Sequence, residues 1–550
     1  MVEARSMAPS SALRSMRQQA RSDPRRWVCR AVAALGLAVI VTLMSAACTT
    51  PRLDVPRPPS EAWPHPEETA LGQAFGKQLA DHPGQSGFYL LDSGMDAFSM
   101  RAGLAQNAQR TLDLQYYIVS ADTTTQLLLY RVLSAAQRGV RVRLLVDDLY
   151  ALGKDFELAT FSAHPSIEVR VFNPFLRRGG WGLSQLLEFL GDPARLNRRM
   201  HNKLWIADNA AAIVGGRNLG DEYFDAHGEV SFSDLDILAA GPIVRDISRG
   251  FDDYWNSEWA VPIEAFVAEP PGPKQLAEFE RTLEARLESF RDTDYARVLR
   301  ETRLGLQLSS GQLSLTVSEA GVLYDEPPKI VGTSVDESPG QIQLHIRSLI
   351  EDAHQEVILI SPYFIPSEQG IGILAALARR GVRVRVFTNS LASTDYVPLA
   401  HAGYARLRAR LLAAGLELYE MRPEPSDRVR SRQPSTGAYL HTKAIIVDRR
   451  HVIVGSMNLD PRSRRYNTEV AVLLESALLG TRLGMLFDEA VRPAHAFRVA
   501  LAAPGREHTA LIWVTEENGK EVRYDGEPLT GFWRRLFSAL LAAFPLQDLL

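Results

Sequence analysis

Two different motifs recur along this chain at nearly the same displacement, and that restricts the fold to a unit built twice. The hexapeptide Arg138-Gly139-Val140-Arg141-Val142-Arg143 returns 242 residues later as Arg380-Gly381-Val382-Arg383-Val384-Arg385. His201-Asn202-Lys203 returns 240 residues later as His441-Thr442-Lys443. Fixed-period self-similarity of this kind marks a repeated structural unit. At 550 residues the chain is also too long for one hydrophobic core.

Each copy reads as strand, helix, strand. Residues 112–119 have strand character, residues 125–137 place Leu128, Leu129, Val132, Leu133 and Ala136 at helical spacing, and residues 140–146 return to a strand after Gly139. The second copy repeats this with a strand at 357–360, a helix at 371–380, Gly381 as cap and a strand at 382–387. Alternation of this type predicts an α/β fold, each half a mixed sheet flanked by helices. Between the halves, residues 273–302 carry Leu276, Phe279, Leu283, Leu287 and Phe290 on one helical face, as expected of a connector helix packed on a core.

The histidine motifs extend well beyond three residues. His201, Lys203, Asp208, Gly215, Gly216 and Asn218 match His441, Lys443, Asp448, Gly455, Ser456 and Asn458 at every spacing, with a change of type only at Gly216/Ser456. At ordinary residue frequencies the five shared types coincide by chance about once in 10⁶ windows. The apolar runs 204–207 and 444–447 read as strands, in which residues two apart face the same side, so each His points with its Lys. Glycine then permits close backbone approach, and Asn offers an amide donor.

These residues resemble the HxKxxxxDxxxxxxG[GS]xN motif of the phospholipase D superfamily. The segments RRMHNKLWIADNAAAIVGGRNLGDEYF, TNSLASTDYVPLAHAGYARLRARLLAAGLELYE and YNTEVAV place the resemblance nearest the bacterial cardiolipin synthase branch, closest to its C type. The resemblance implies two phospholipase-D-like halves packed pseudo-symmetrically around one active site. It implies a covalent phosphohistidine on one ring, which splits one hard displacement into two easier ones, while the other ring acts as acid and base. His201 is the nucleophile and His441 the acid/base by this resemblance, although sequence does not fix the order. Lys203, Lys443, Asn218, Asn458 and Ser456 are expected around the phosphate oxygens.

A catalytic imidazole needs an acceptor on its second nitrogen. The family pattern gives that role to Glu469, and aligning NTEVAV with DLDILA places Asp236 opposite it, so Asp236 and Glu469 are the expected orienting groups. Asp208 and Asp448, part of the motif, are expected to brace it rather than to react. The same Gly-Gly as in the first motif occurs in the C-type resemblance, so Gly216 is not read as a loss of function. No cofactor and no metal site is implied, because none of the other ten histidines falls in a ligand spacing.

The first thirty residues carry seven Arg against Glu3 and Asp23, and residues 31–47 are almost wholly apolar. This is the pattern of a secretory signal. Ser45-Ala46-Ala47-Cys48 resembles a bacterial lipoprotein cleavage box, which makes Cys48 the lipidation site; an uncleaved anchor helix is the alternative. Either places the body on a membrane of the cell envelope, facing away from the cytoplasm. The chain totals −4, so the body beyond residue 30 is near −9, which argues against a nucleic-acid partner. Cys29 and Cys48 are the only cysteines, and the body therefore has no thiol chemistry.

The chain thus divides into a signal segment (1–47), a Pro-rich extended tether (48–70), a first half (71–270), a connector (271–335), a second half (336–500) and a C-terminal extension (501–550). A phosphodiester is the substrate class and a phospholipid the expected substrate. Residues 175–199 mix Phe175, Trp181, Leu186, Leu187 and Leu190 with Arg177, Arg178, Arg195, Arg198 and Arg199, and suit acyl chains and a headgroup phosphate. Residues 530–544 suit an interfacial helix. Phosphatidyl transfer yielding cardiolipin is the expected reaction; hydrolysis by water in the same site, a metal-independent nuclease, and a non-catalytic lipid-binding module are the alternatives. Two complete motifs oppose the last. Oligomeric state is not legible.

Overall fold

The recurring hexapeptides mark where a helix must stop. Gly139 and Gly381 take φ of +92° and +85°, which glycine enters without a Cβ penalty. They close the helices Thr123–Gln137 and Glu368–Arg379 and release the chain into the strands Arg141–Asp147 and Arg383–Asn389. Asp122 and Ser367 start the same helices, their side chains accepting from the N–H groups of Thr125 and Gly370. The computed structural model describes residues 51–178, 183–226, 230–301, 304–327, 341–394, 398–424, 437–502 and 510–543.

The first sheet runs Ser86–Leu91, Asp236–Ala240, Ala211–Gly215, Leu204–Ala207, Thr111–Tyr116, Arg141–Asp147, Ile167–Phe172, Ala260–Pro262. The second runs Thr316–Tyr324, Val470–Glu475, His451–Gly455, Ala444–Val447, Glu356–Ile360, Arg383–Asn389, Glu417–Met421, Ala496–Leu501. The two orders are the same strand for strand. Three strands of each sheet are mutually parallel and the remainder antiparallel, so each sheet is mixed. Strand Thr316–Tyr324 stitches the sheets together: Thr316–Ser318 pair with Ser86–Phe88, and Glu319–Tyr324 pair with Val470–Glu475.

Alternation along the central strands shows how the layers stack. Leu204 and Ile206 share a core with Ala444 and Ile446, whereas Trp205 and Ala207 face one outer core and Ile445 and Val447 the other. The two sheets therefore share a middle layer, and helices cover their outer faces. Sheets buried on both sides need apolar residues at consecutive positions, which is why residues 204–207 and 444–447 read as unbroken apolar runs.

Several parts depart from the sequence expectations. The described part of the Pro-rich segment is extended but not free. Arg52 N donates to Ala265 O at 2.9 Å, and the buried Arg143 and Arg170 donate to the carbonyls of Ser60 and Pro58 at 2.7 and 2.8 Å. Prolines bring carbonyls without donors, and the arginines of the sheet satisfy them. Helix Pro273–Phe290 packs its five apolar residues on the first-half core, as expected. Strands Leu511–Glu517 and Lys520–Tyr524 continue the second sheet beyond Ala496–Leu501, so much of the stretch read as an extension is sheet. The signal segment, the apolar run 31–47 and Cys48 lie outside the described residues. Among the described residues no helix is long and apolar enough to cross a membrane.

Candidate active site

Each motif histidine lies just ahead of its strand, on backbone tied to the opposite half. His201 N donates to Thr468 O at 2.9 Å, and Thr468 N to Arg199 O at 2.9 Å. In the mirror relation, Gly437–Leu440 pairs in parallel with Val230–Ser233, and His441 N donates to Ser233 O at 2.8 Å. Thr468 immediately precedes Glu469, and Ser233 immediately precedes Asp234. The same main-chain contacts thus bring each ring to a carboxylate of the other half.

The side chains complete the exchange. His201 Nδ1 lies 2.9 and 3.1 Å from the two oxygens of Glu469, and His441 Nδ1 lies 2.5 Å from Asp234 Oδ2. Both carboxylates are fully buried. A carboxylate acceptor selects the Nδ1–H tautomer and leaves the Nε2 lone pair of each ring available.

Asp236, expected as an orienting group, touches neither ring. Its oxygens pair with Arg101 at 2.9 Å and accept from Arg217 N at 3.1 Å. Sheet register explains the correction. Gly215 pairs with Asp236, while the equivalent Gly455 pairs with Ala471. Asp236 is therefore the counterpart of Ala471, and Asp234 that of Glu469. The slip was two residues, which keeps every side chain on the same face and escapes a reading based on alternation.

The Gly216/Ser456 difference now has a cause. A Cβ on Gly216 would lie 2.2 Å from Asp234 Oδ1, so the short acid occupies the space a side chain would need. In the second half Ser456 Oγ donates to Glu469 Oε2 at 2.5 Å, and Ser463 Oγ to Glu469 Oε1 at 2.7 Å. Ser456 thus holds the orienting carboxylate, where a phosphate contact was expected. Asn218 is also engaged: its Oδ1 accepts from Ile118 N at 3.2 Å and its Nδ2 donates to Tyr223 Oη at 3.0 Å. Asn458 is buried, and its Oδ1 has no partner among the described residues.

Asp208 and Asp448 lie away from the rings. Asp208 accepts from the N–H groups of Gln109, Arg110 and Thr111, and Asp448 from those of His354, Gln355 and Glu356. Both sit at positive φ, +55° and +52°, in the turn that joins the two motif strands. Lys203 Nζ donates to His201 O at 2.6 Å, and Lys443 Nζ donates to His441 O, so each lysine folds back on its own histidine.

A family model described as "Cardiolipin synthase, PLD-like domain" matches residues 103–255 and 346–490. The chain belongs to this family. It is 38% identical to cardiolipin synthase C of Escherichia coli (strain K12) over 87% of this chain and 99% of that protein. It is 32% identical to an uncharacterized protein of Helicobacter pylori (strain J99 / ATCC 700824) over 88% of this chain and 93% of that one. Among solved structures, phosphatidylserine synthase of Haemophilus influenzae Rd KW20 aligns with a TM-score of 0.51 at 14% identity, covering 77% of this chain and 91% of that one. That likeness is one of fold.

In this phospholipase-D-like chain both rings are poised neutral. Burial, followed by the charges of Lys203, Lys443 and Arg462, holds the His201 pKa well below the usual imidazole value. Burial and then Lys443 lower that of His441 to about 4, against the pull of Asp234. Burial also holds Lys203 well below the usual lysine value. Aromatic edges wall the rings, with Tyr117 at 5.0 Å from His201 and Tyr223 and Phe232 each at 5.2 Å from His441.

The sequence reading missed Asp234, Tyr117, Tyr223, Arg462 and Ser463. Only Asp234 left a trace there, as the short acid in the half that has Gly216. Of the arginines expected to bind a headgroup, Arg178 pairs with Asp148 at 2.8 Å, Arg199 with Asp147 at 3.0 Å and Arg195 with Glu188 at 3.1 Å. These three serve the fold. Phe175 is buried, Leu186, Leu187 and Leu190 are exposed, and Trp181 lies outside the described residues.

Proposed function

We propose that this chain transfers a phosphatidyl group between phospholipids, through a covalent histidine intermediate, to form cardiolipin. The observation that carries it is the exchange of carboxylates: each half presents one imidazole whose Nδ1 is held by an acid of the other half. The identity to a cardiolipin synthase over nearly its whole length supports the choice of lipid.

Nε2 of His201 attacks the phosphorus of the donor lipid, forming the P–N bond as the P–O bond to the headgroup breaks. His441, protonated, gives its proton to the departing alkoxide. His441 then takes the proton of a phosphatidylglycerol hydroxyl, whose oxygen displaces His201 and restores the phosphodiester. Lys203 and Lys443 balance charge on the non-bridging oxygens. The assignment of roles follows the carboxylates: Asp234 lies 2.5 Å from His441 Nδ1, whereas Glu469 is shared among His201, Ser456 and Ser463. Burial and then the lysine charges hold the His441 pKa at about 4, and the phosphodiester anion promotes protonation by offsetting those charges.

Membrane residence belongs to the same proposal. Cys48 would carry the lipid anchor in the cell envelope. Helix Phe532–Ala543 turns Phe532, Trp533, Phe537 and Leu540 outward, each more than half exposed, as an interfacial helix does. The test is mass spectrometry of lipids after incubating purified protein with phosphatidylglycerol and phosphatidylethanolamine. Cardiolipin is the expected product, lost in His201→Ala and in His441→Ala. Phosphatidic acid alone would replace transfer by hydrolysis, and DNA cleavage without lipid turnover would overturn both.

A further inference from the structure

We propose that Asp147 and Asn389 are positioning residues, each setting the place of one reactive imidazole by holding the backbone N–H of the residue before it. This rests on the two-histidine reaction proposed above. The two are repeat partners. Each is the last residue of its strand, Arg141–Asp147 or Arg383–Asn389, and they are displaced by 242 residues (389 − 147), as the hexapeptides are.

Each histidine lies ahead of its strand, so the ladder of its own sheet does not hold it. Met200 pairs in parallel with Thr468, and Leu440 with Ser233. In a parallel pairing the flanking residues supply the bonds to the partner, here His201 N to Thr468 O and His441 N to Ser233 O. The N–H groups of Met200 and Leu440 therefore turn away from the other half, toward their own. Met200 N donates to Asp147 Oδ2 at 2.9 Å, and Leu440 N to Asn389 Oδ1 at 2.9 Å. Two successive N–H groups thus hold each ring, one anchored in each half. The foreign carbonyl fixes the ring against its orienting acid, and the home side chain fixes it against its own sheet.

The two halves keep the acceptor and change what surrounds it. Asp147 is fully buried, and Arg199 Nε meets both its oxygens, at 3.0 and 3.1 Å. Arg199 stands two residues ahead of His201, and the same place ahead of His441 is Tyr439. Without that cation an ionised acid would be buried unpaired, which is costly, and the second half has the neutral Asn389 instead. Its Nδ2 donates to Leu440 O at 2.9 Å, so one carboxamide grips both polar groups of that residue, and Ser393 Oγ donates to its Oδ1 at 3.1 Å. A fold that needed only the buried ion pair would have kept the charge. Common to both halves is an oxygen 2.9 Å from the N–H that precedes the ring.

Asn389→Leu keeps the volume and removes both bonds to Leu440 without touching a charge. In cardiolipin formation from phosphatidylglycerol, kcat per folded molecule should fall about 10- to 100-fold, the scale of an ångström's misplacement at a reacting centre, with KM held within about twofold. The second readout needs no substrate. In protein carrying isotope-labelled histidine, the Nδ1–H signals of the two rings are assigned by their loss in His201→Ala and His441→Ala. Asn389→Leu should shift or broaden the His441 signal and leave that of His201 in place, a one-sided change that general loosening of the fold would not give. Where Asn389→Leu does not fold, Asn389→Ala carries the same test. A folded variant with wild-type kcat or an unmoved His441 signal overturns the proposal, as does one in which both ring signals move together. A wild-type enzyme that forms no cardiolipin overturns the lipid reading, and the ring signals then decide this one.

Discussion

Asp234 and Asp236 are the same residue type, two positions apart, and both are buried, yet the structure gives them opposite tasks. Asp234 is 2.5 Å from His441 Nδ1. Asp236 serves Arg101 and Arg217. Asp234→Asn keeps the volume and removes the charge. A hydrogen bond to an ionised acceptor contributes about 1.5–3 kcal/mol, and each 1.36 kcal/mol is tenfold in rate. The turnover of folded enzyme should fall about 10- to 150-fold, and further where the Asn amide donates to Nδ1 and imposes the wrong tautomer. Asp236→Asn instead leaves the buried Arg101 guanidinium poorly compensated, a change that costs about 3–5 kcal/mol of stability, with turnover per folded molecule nearly unchanged. Cardiolipin formation by mass spectrometry and thermal unfolding of the same samples separate the two effects. The reasoning fails if Asp236→Asn slows the folded enzyme as much as Asp234→Asn does, or if Asp234→Asn keeps the wild-type rate.

Asp208→Ala strips the acceptor from three backbone N–H groups and should cost on the order of 3 kcal/mol in denaturant unfolding, with kcat per folded molecule preserved. The His441 pKa of about 4 lies below its unfolded value, so the unfolded chain binds the extra proton. The ring's contribution, on the order of 3 kcal/mol, is complete above about pH 6.5 and lost as pH falls toward 4; thermal melts across that range should show a fall that His441→Gln lessens. Trp533→Glu, at a residue 77% exposed, should weaken sedimentation with phosphatidylglycerol vesicles several-fold while leaving turnover of short-chain monomeric lipid unchanged.

Local physics made much of this legible in advance. Unbroken apolar runs located the strands Leu204–Ala207 and Ala444–Val447 to the residue, and Gly139 and Gly381 gave the helix ends. The duplicated spacing picked out both histidines. What stayed hidden depends on tertiary docking. A strand repeats every two residues, so alternation cannot separate Asp234 from Asp236. Nothing in either half signals that its acid will serve the other half's ring. Ser456 is small and polar, as a phosphate ligand would be, and only the third dimension shows Glu469 above it. Arg178, Arg195 and Arg199 form a basic run in sequence, but acids from distant segments claim Arg178 and Arg199.

The duplication also accounts for the unequal tasks proposed for two chemically identical rings. An intact repeat would give both histidines the same environment, and a proton shared between them would have no preferred ring. The halves differ at two touching positions. In one, Asp234 fits only because Gly216 has no side chain, and its charge bears directly on His441 at 2.5 Å. In the other, the longer Glu469 divides its charge among His201, Ser456 and Ser463, so less of it reaches the ring. Hydroxyl donors weaken a carboxylate as a base, and Arg462 adds positive charge near His201 alone among the two rings' largest influences. The proposed division, His441 as acid and His201 as nucleophile, follows this difference in how the two carboxylates are held. Because each acid comes from the half that does not own the ring, neither half has an oriented histidine by itself, and the asymmetry that divides the work arises only when the two are docked.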